Sequence, residues 1–141
     1  VDFFSVGSND LIQYLLAVDR NNPRVSSVYS HFHPSVLRAL TRLVQECHKY
    51  DKPISICGEM AGDPLSAILL MAMGFNTLSM SSSNILRVRK AICHVSMTDA
   101  QQLLEEVVAM NNPLMVKSWM EYYFRHHGLA DMVKSNRLVN V

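Results

Sequence analysis

The segment Ile54–Gly58, with the sequence ISICG, follows a Lys-Pro pair and ends in glycine. A short run rich in β-branched residues between two breakers is typical of a buried strand. Pro34 opens a helix before this strand, with apolar residues at i, i+3 and i+4 along one face. Asp63 and Pro64 cap and open a helix after it, which Gly74 ends.

The same alternation continues on both sides of this segment. The apolar residues of Phe3–Val6 precede Gly7 and predict a strand buried on both faces, followed by a short helix at residues 11–16. Residues 77–80 predict a third strand, and Ser83 can cap the helix that follows it. Strands that alternate with helices favour parallel βα units, so we predict an α/β fold.

After about residue 96 the pattern changes to helices only. Residues 98–101 (TDAQ) form a capping box that predicts a helix start, and Pro113 starts another helix, which Gly128 ends. The aromatic residues around Trp119 and the nine methionines are expected in the core or in an interface.

Composition excludes several classes of protein. Among 141 residues, 49% are hydrophobic and 18% are charged, which excludes a disordered chain. Lys and Arg number 13 against 12 Asp and Glu, so we expect no nucleic-acid partner. The longest apolar run, residues 67–73, is too short to cross a membrane. Three cysteines without a CxxC pair and no secretion leader indicate a reduced, cytoplasmic protein. The first residues suggest a piece of a longer protein with a strand already under way.

Two polar clusters follow the first two predicted strands, at residues 7–10 (GSND) and 57–63 (CGEMAGD). Ligands collect at the carboxyl ends of parallel strands. Asp10 can supply oxygen to Mg²⁺, while Asn9 and backbone N–H groups can face phosphate or carboxylate oxygens. The alternative is that Asn9 and Asp10 only cap the helix that starts at Leu11.

Cys57 ends the central strand beside Gly58, where a thiol can serve as acid, base or nucleophile. The alternative is a small buried hydrophobic residue, and this is the expectation for Cys47 and Cys93, which we place on apolar helix faces. The histidines within residues 31–33 and 126–127 have no nearby third ligand, so we do not expect structural zinc.

Several segments resemble the phosphoenolpyruvate-utilising enzymes in order and spacing, over about residues 2–95. They are residues 2–14 (DFFSVGSNDLIQY), 17–20 (AVDR), 33–37 (HPSVL), 56–63 (ICGEMAGD) and 78–81 (LSMS). Within the family, the AVDR segment and Glu59 are most similar to enzyme I of the sugar phosphotransferase system, and its nitrogen-related paralogue is an equal candidate. Pyruvate phosphate dikinase and phosphoenolpyruvate synthase are more distant alternatives.

The resemblance implies that the chain is about the last three βα units of a (β/α)₈ TIM-type barrel, plus terminal helices. Residues 1–95 would be the partial phosphoenolpyruvate-binding barrel, and residues 96–141 a C-terminal helical segment of the same domain. The remaining strands would lie outside this chain, so the isolated chain is expected to be inactive.

The resemblance also implies the roles of individual residues. Asp10 would be one of two acidic Mg²⁺ ligands, its partner being a glutamate on a preceding strand that this chain lacks. Asn9 and Arg20 would hold the phosphate of phosphoenolpyruvate. Cys57 would be the general acid/base that protonates the enolate carbon to give pyruvate, with Glu59 and Asp63 orienting its loop.

The partners implied by the resemblance are phosphoenolpyruvate, a phosphocarrier protein and a second copy of the chain. The phosphoryl-accepting histidine of the family belongs to a separate domain, which also meets the carrier, so no histidine here is nominated. The alternative function is a catalytically incomplete assembly module, because uncovered strand edges and an open barrel face invite pairing with another chain.

Overall fold

The computed structural model describes residues 1–133 and has a mixed α/β fold built on one parallel sheet. The strands are β1 (Phe4–Gly7), β2 (Ile54–Cys57) and β3 (Thr77–Ser79), in the order β1-β2-β3. The ISICG segment is therefore the central strand, and all three predicted strands are confirmed.

Within residues 1–133, seven α-helices connect and follow the strands. They are α1 (Ser8–Leu16), α2 (Pro34–Lys49), α3 (Glu59–Gly62), α4 (Pro64–Met73), α5 (Ser82–His94), α6 (Met97–Ala109) and α7 (Pro113–His126), with 3₁₀ turns at Ser26–Val28 and Ala130–Met132. Within the described part of the chain, no helix is both long and apolar enough to cross a membrane. The helices after residue 96 belong to the segment predicted at residues 96–141, of which residues 134–141 lie outside the described residues.

Polar side chains cap the first turns of α2, α4, α6 and α7. The Asp63 carboxylate accepts hydrogen bonds from the backbone N–H (3.0 Å) and the hydroxyl (2.7 Å) of Ser66 at the start of α4. The prediction for α6 was wrong in its position: Ser96, not Thr98, caps the helix and accepts from the Asp99 N–H at 3.1 Å. Ser96 and Thr98 both offer a capping hydroxyl, and the helix that starts after Ser96 buries Ala100.

The start of α5 also differs from the prediction. The residue before its first turn is Ser81, not Ser83, and the two hydroxyls lie 3.0 Å apart. Cys93 is exposed, contrary to the expectation of an apolar face, because α5 buries only Val88 and Ala91. Cys47 is buried in α2, as expected.

One face of the sheet is part of the core. Val6, Ile54 and Ile56 are buried there beneath helices whose own apolar faces are buried with them. Helix α4 is buried along most of its length and contacts α5, α6 and α7. The terminal helices therefore complete the hydrophobic core of the βα units.

The other face of the sheet is open among the described residues. The strand register places Ser5, Ser55 and Thr77 in one row on this face, and none of the three is buried. The expectation that the first strand is buried on both faces was wrong. Phe3 precedes the strand and Phe4, at the edge of the sheet, is 41% exposed, which leaves Val6 as the buried residue of β1.

Candidate functional site

The carboxyl ends of β1 and β2 are joined by a buried serine. Gly7 is the register partner of Cys57, and Ser8, the first residue of α1, is fully buried. The Ser8 hydroxyl donates a 2.7 Å hydrogen bond to the Cys57 carbonyl. This bond fixes the beginning of α1 against the end of β2, so the two predicted polar clusters meet.

Gly58 permits this close approach. Its φ of +108° lies in a region that L side chains rarely adopt. A Cβ at this position would overlap the Ser8 hydroxyl and would lie 3.0 Å from Asn9 Oδ1. A glycine is therefore needed between Cys57 and Glu59 for both conformation and space.

Asn9 bridges the two loops. Its Oδ1 accepts the Glu59 backbone N–H at 3.2 Å and the Tyr29 hydroxyl at 3.3 Å. A backbone N–H can only donate, so the amide oxygen must face Glu59 and the amide nitrogen must face the other way. The side chain is thus oriented to offer its N–H groups to an anion.

Arg20 reaches the same place from the loop after α1. Its Nη1 lies 3.1 Å from Glu59 Oε1, with the two side chains 35% and 66% exposed. The Arg20 backbone N–H donates to Gln13 Oε1 at 3.0 Å, after a left-handed turn at Ala17. Such an exposed ion pair contributes little stability, so the pair places the guanidinium rather than holding the fold together.

Tyr29 completes the cluster. Burial raises the pKa of its phenol, the Glu59 and Asp10 carboxylates raise it further, and the neighbouring Arg20 guanidinium opposes the rise. The ring makes an edge contact with His31, with centroids 5.8 Å apart. Tyr29 therefore stays protonated at neutral pH and acts as a hydrogen-bond donor.

Asp10 and Cys57 have fewer neighbours. Asp10 lies in the first turn of α1 and is exposed. Across residues 1–133, no three His, Cys, Asp or Glu side chains form a group that could hold a metal ion. A lone carboxylate still suits Mg²⁺, which is often bound by one or two carboxylates together with phosphate oxygens and water. Cys57 is exposed at the end of the open sheet face.

The structure brings two of the residues predicted as a site, Asn9 and Arg20, to the same residue, Glu59. Asp10 follows Asn9 in α1 and Cys57 ends β2, and their places in the site stay predictions. Glu59 bonds to both Asn9 and Arg20, and Asp63 caps α4 as predicted. That these two carboxylates orient the Cys57 loop stays a prediction.

Sequence reasoning missed Ser8 and Tyr29. Ser8 lies in the predicted polar cluster at residues 7–10, but only its small polar side chain beside a strand end indicated a role for it. Tyr29 had no signal, because it lies in an irregular loop far along the chain from Asn9.

The histidine pairs make local contacts: His126 and His127 each place Nδ1 2.8 Å from a carbonyl four residues earlier.

The chain matches a known protein family and several curated proteins. The family model described as PEP-utilising enzyme, PEP-binding domain, matches residues 1–97, where PEP is phosphoenolpyruvate. A phosphoenolpyruvate-dependent phosphotransferase system protein of Salmonella typhimurium is 39% identical over 134 residues, 95% of this chain and 18% of that protein. Phosphoenolpyruvate-protein phosphotransferases of Bacillus subtilis and Priestia megaterium are 39% and 42% identical over 89% and 79% of this chain, and 22% and 20% of their own lengths.

The chain thus spans about a fifth of the length of the curated relatives it matches. The family match covers both loops of the site and all three strands. The chain belongs to the family of PEP-utilising enzymes, with residues 1–97 matching their PEP-binding domain.

Proposed function

We propose that this chain is the C-terminal portion of a phosphoenolpyruvate-protein phosphotransferase. The whole enzyme would transfer the phosphoryl group of phosphoenolpyruvate to its own histidine, outside this chain, and then to a phosphocarrier protein, with release of pyruvate. The carrying observation is the convergence of Asn9, Arg20 and Cys57 at the ends of β1 and β2. The names of the relatives agree with this activity.

We also propose that the sheet is part of a (β/α)₈ barrel, with residues 1–95 as the barrel portion and residues 96–141 as its helical end. Three adjacent parallel strands in sequence order support this architecture. The open face, with Ser5, Ser55 and Thr77, would face the barrel interior, where strands outside this chain would cover it.

The phosphate of the substrate would bind between Asn9 and Arg20. The amide nitrogen of Asn9 and the planar guanidinium of Arg20 are both donors suited to phosphate oxygens. The guanidinium lies 3.1 Å from the Glu59 carboxylate, an arrangement already suited to an anion. Binding would replace that carboxylate with phosphate oxygens.

Mg²⁺ would be held in part by Asp10, at the same end of α1 as Asn9. A second carboxylate would come from a strand outside this chain. When bound, Mg²⁺ would neutralise charge on the phosphoryl oxygens.

Cys57 would act on the other product of the transfer. Once the phosphoryl group has left, the enolate carbon takes a proton from the Cys57 thiol, which becomes a thiolate, and pyruvate is formed. Its exposure at the end of the open face supports access to a substrate held by the strand-end loops.

The test is Cys57→Ala in the full-length protein. Loss of a positioned general acid should slow pyruvate formation by about 10²–10⁴-fold, measured by a coupled assay. Cys93→Ala is the matched control, since that thiol is also exposed but lies on α5, and it should leave the rate unchanged. Normal turnover by Cys57→Ala would overturn the assignment of the thiol.

We further propose a cytoplasmic location, supported by three cysteines that are all free. The carrier would serve either sugar uptake or the nitrogen-related system, as the resemblance allows both.

A second function, as a homodimerisation or assembly module, is favoured by exposed apolar side chains on α7. Leu114, Met115 and Tyr122 are 73%, 61% and 52% exposed, and one face of the sheet is also open. Light scattering of the 141-residue chain should then give at least the mass of a dimer. A monodisperse monomer at high concentration would argue against this function.

A further inference from the structure

We propose that Tyr29 is a positioning residue of the phosphate-binding site, which holds the Asn9 amide in place beside the Arg20 guanidinium for one anion. This inference rests on the proposed function and adds a residue to it. Tyr29 lies in the loop between α1 and α2. This loop does not directly follow a strand, so the rule that ligands bind at the ends of parallel strands does not predict a role for it.

The first support is the hydrogen bond to Asn9. The Tyr29 hydroxyl donates to Asn9 Oδ1 at 3.3 Å, and the Glu59 backbone N–H donates to the same oxygen at 3.2 Å. Two donors on one amide oxygen fix both the rotation and the flip of the group. The amide nitrogen is thereby held on the side away from Glu59 before any ligand arrives.

The second support is the charge around the phenol. Arg20 and Glu59, which pair with each other, both act on the Tyr29 pKa, so the phenol lies beside this ion pair. A phenol has one proton to donate and an oxygen that can still accept. With its proton on Asn9, the phenol oxygen is left with lone pairs that can accept from a guanidinium, and Arg20 is the guanidinium that acts on the Tyr29 pKa.

The third support is that Tyr29 is itself held. Its backbone N–H donates to the Ser26 carbonyl at 3.1 Å, which closes the 3₁₀ turn at Ser26–Val28. Its half-buried ring packs against the core and meets the His31 ring at an interplanar angle of 72°. A fixed ring can transmit position to Asn9, which a freely moving side chain could not do.

The experiment compares Tyr29→Phe with wild type in the full-length protein. The variant keeps the ring and removes only the hydroxyl, so it loses the hydrogen bond to Asn9 beside the charged pair of Arg20 and Glu59. The KM for phosphoenolpyruvate should therefore rise about tenfold. The kcat should change by less than about twofold, since binding in the ground state and the transition state is weakened alike. Tyr14→Phe is the matched control, because Tyr14 is 85% exposed on α1, and its KM should equal that of wild type.

A double-mutant cycle separates positioning from a general structural role. In an Asn9→Ala background, Tyr29→Phe should raise the KM by less than about threefold, because most of its effect passes through Asn9. An equal rise in both backgrounds would overturn the proposal, as would an unchanged KM in Tyr29→Phe alone. If wild type itself forms no pyruvate from phosphoenolpyruvate, the proposed function fails instead, so the two failures are distinguishable.

A second pair of variants covers the case in which Tyr29→Phe does not fold. Tyr29→Gln keeps a donor for Asn9 and Tyr29→Leu does not, so the Gln variant should have the lower KM. A KM for the Leu variant equal to or below that of the Gln variant would overturn the proposal.

Discussion

The two faces of the three-stranded sheet differ in what their residues do. On one face Val6, Ile54 and Ile56 are buried against helices, whereas on the other Ser55 is half-buried and Cys57 is exposed. Successive side chains of a strand point to opposite faces of the sheet, so residues that are neighbours in sequence have different roles. The buried face supplies stability, and the open face is free to carry small polar groups and a thiol.

The largest effect is expected on the buried face. Ile56→Ala removes a fully buried side chain from the central strand and leaves a cavity beneath the helices. The free energy of unfolding should fall by about 2–5 kcal/mol, measured by chemical denaturation of the chain.

Ser55→Ala is the matched control on the open face of the same strand. Its hydroxyl donates only a 3.3 Å bond to the Phe4 carbonyl, so the loss should stay below about 1 kcal/mol. Equal losses for Ile56→Ala and Ser55→Ala would mean that the two faces do not differ as described.

A smaller effect is expected where the sheet ends and the site begins. Gly58→Ala forces a side chain into a φ of +108° and against the Ser8 hydroxyl. The free energy of unfolding should fall by about 1–3 kcal/mol, and the hydrogen bond from Ser8 to the Cys57 carbonyl should be lost. Affinity for phosphoenolpyruvate, measured by calorimetric titration of the full-length protein, should fall with it.

Gly128→Ala provides the matched control for the backbone alone. Gly128 has a φ of +75° and nothing within 4 Å of an added Cβ, so its loss should be only about 1 kcal/mol. Affinity for phosphoenolpyruvate should not change. If both variants lost affinity equally, the contact between Gly58 and Ser8 would not be what shapes the site.

Much of the fold could be predicted from local pattern. The strands, the helices opened by Pro34, Pro64 and Pro113, and the glycine end of α4 follow from periodicity and capping, which act over a few residues. The errors concern burial and position. Cys93 and the first strand were expected to be buried, but periodicity indicates only which residues share a face, and packing decides whether that face is covered.

The candidate site divides in the same way. The two polar clusters were predicted because residues at strand ends converge in any parallel sheet. Their contacts were not predictable: Ser8 bonds to Cys57 across 49 residues, and Arg20 to Glu59 across 39. Tyr29 lies 20 residues after Asn9, and neither helical nor strand periodicity predicts a contact at that separation.

Local sequence patterns are enough to predict the alternation of strands and helices, the positions of the two loops and the resemblance to a family. These depend on neighbouring residues, whose spacing is written in the chain. The tertiary structure alone decided that one sheet face is open, that Gly58 lies against Ser8, and that Tyr29 reaches Asn9. Each of these depends on how a distant segment packs, and for residues far apart in sequence the number of residues between them does not show how close they lie in space.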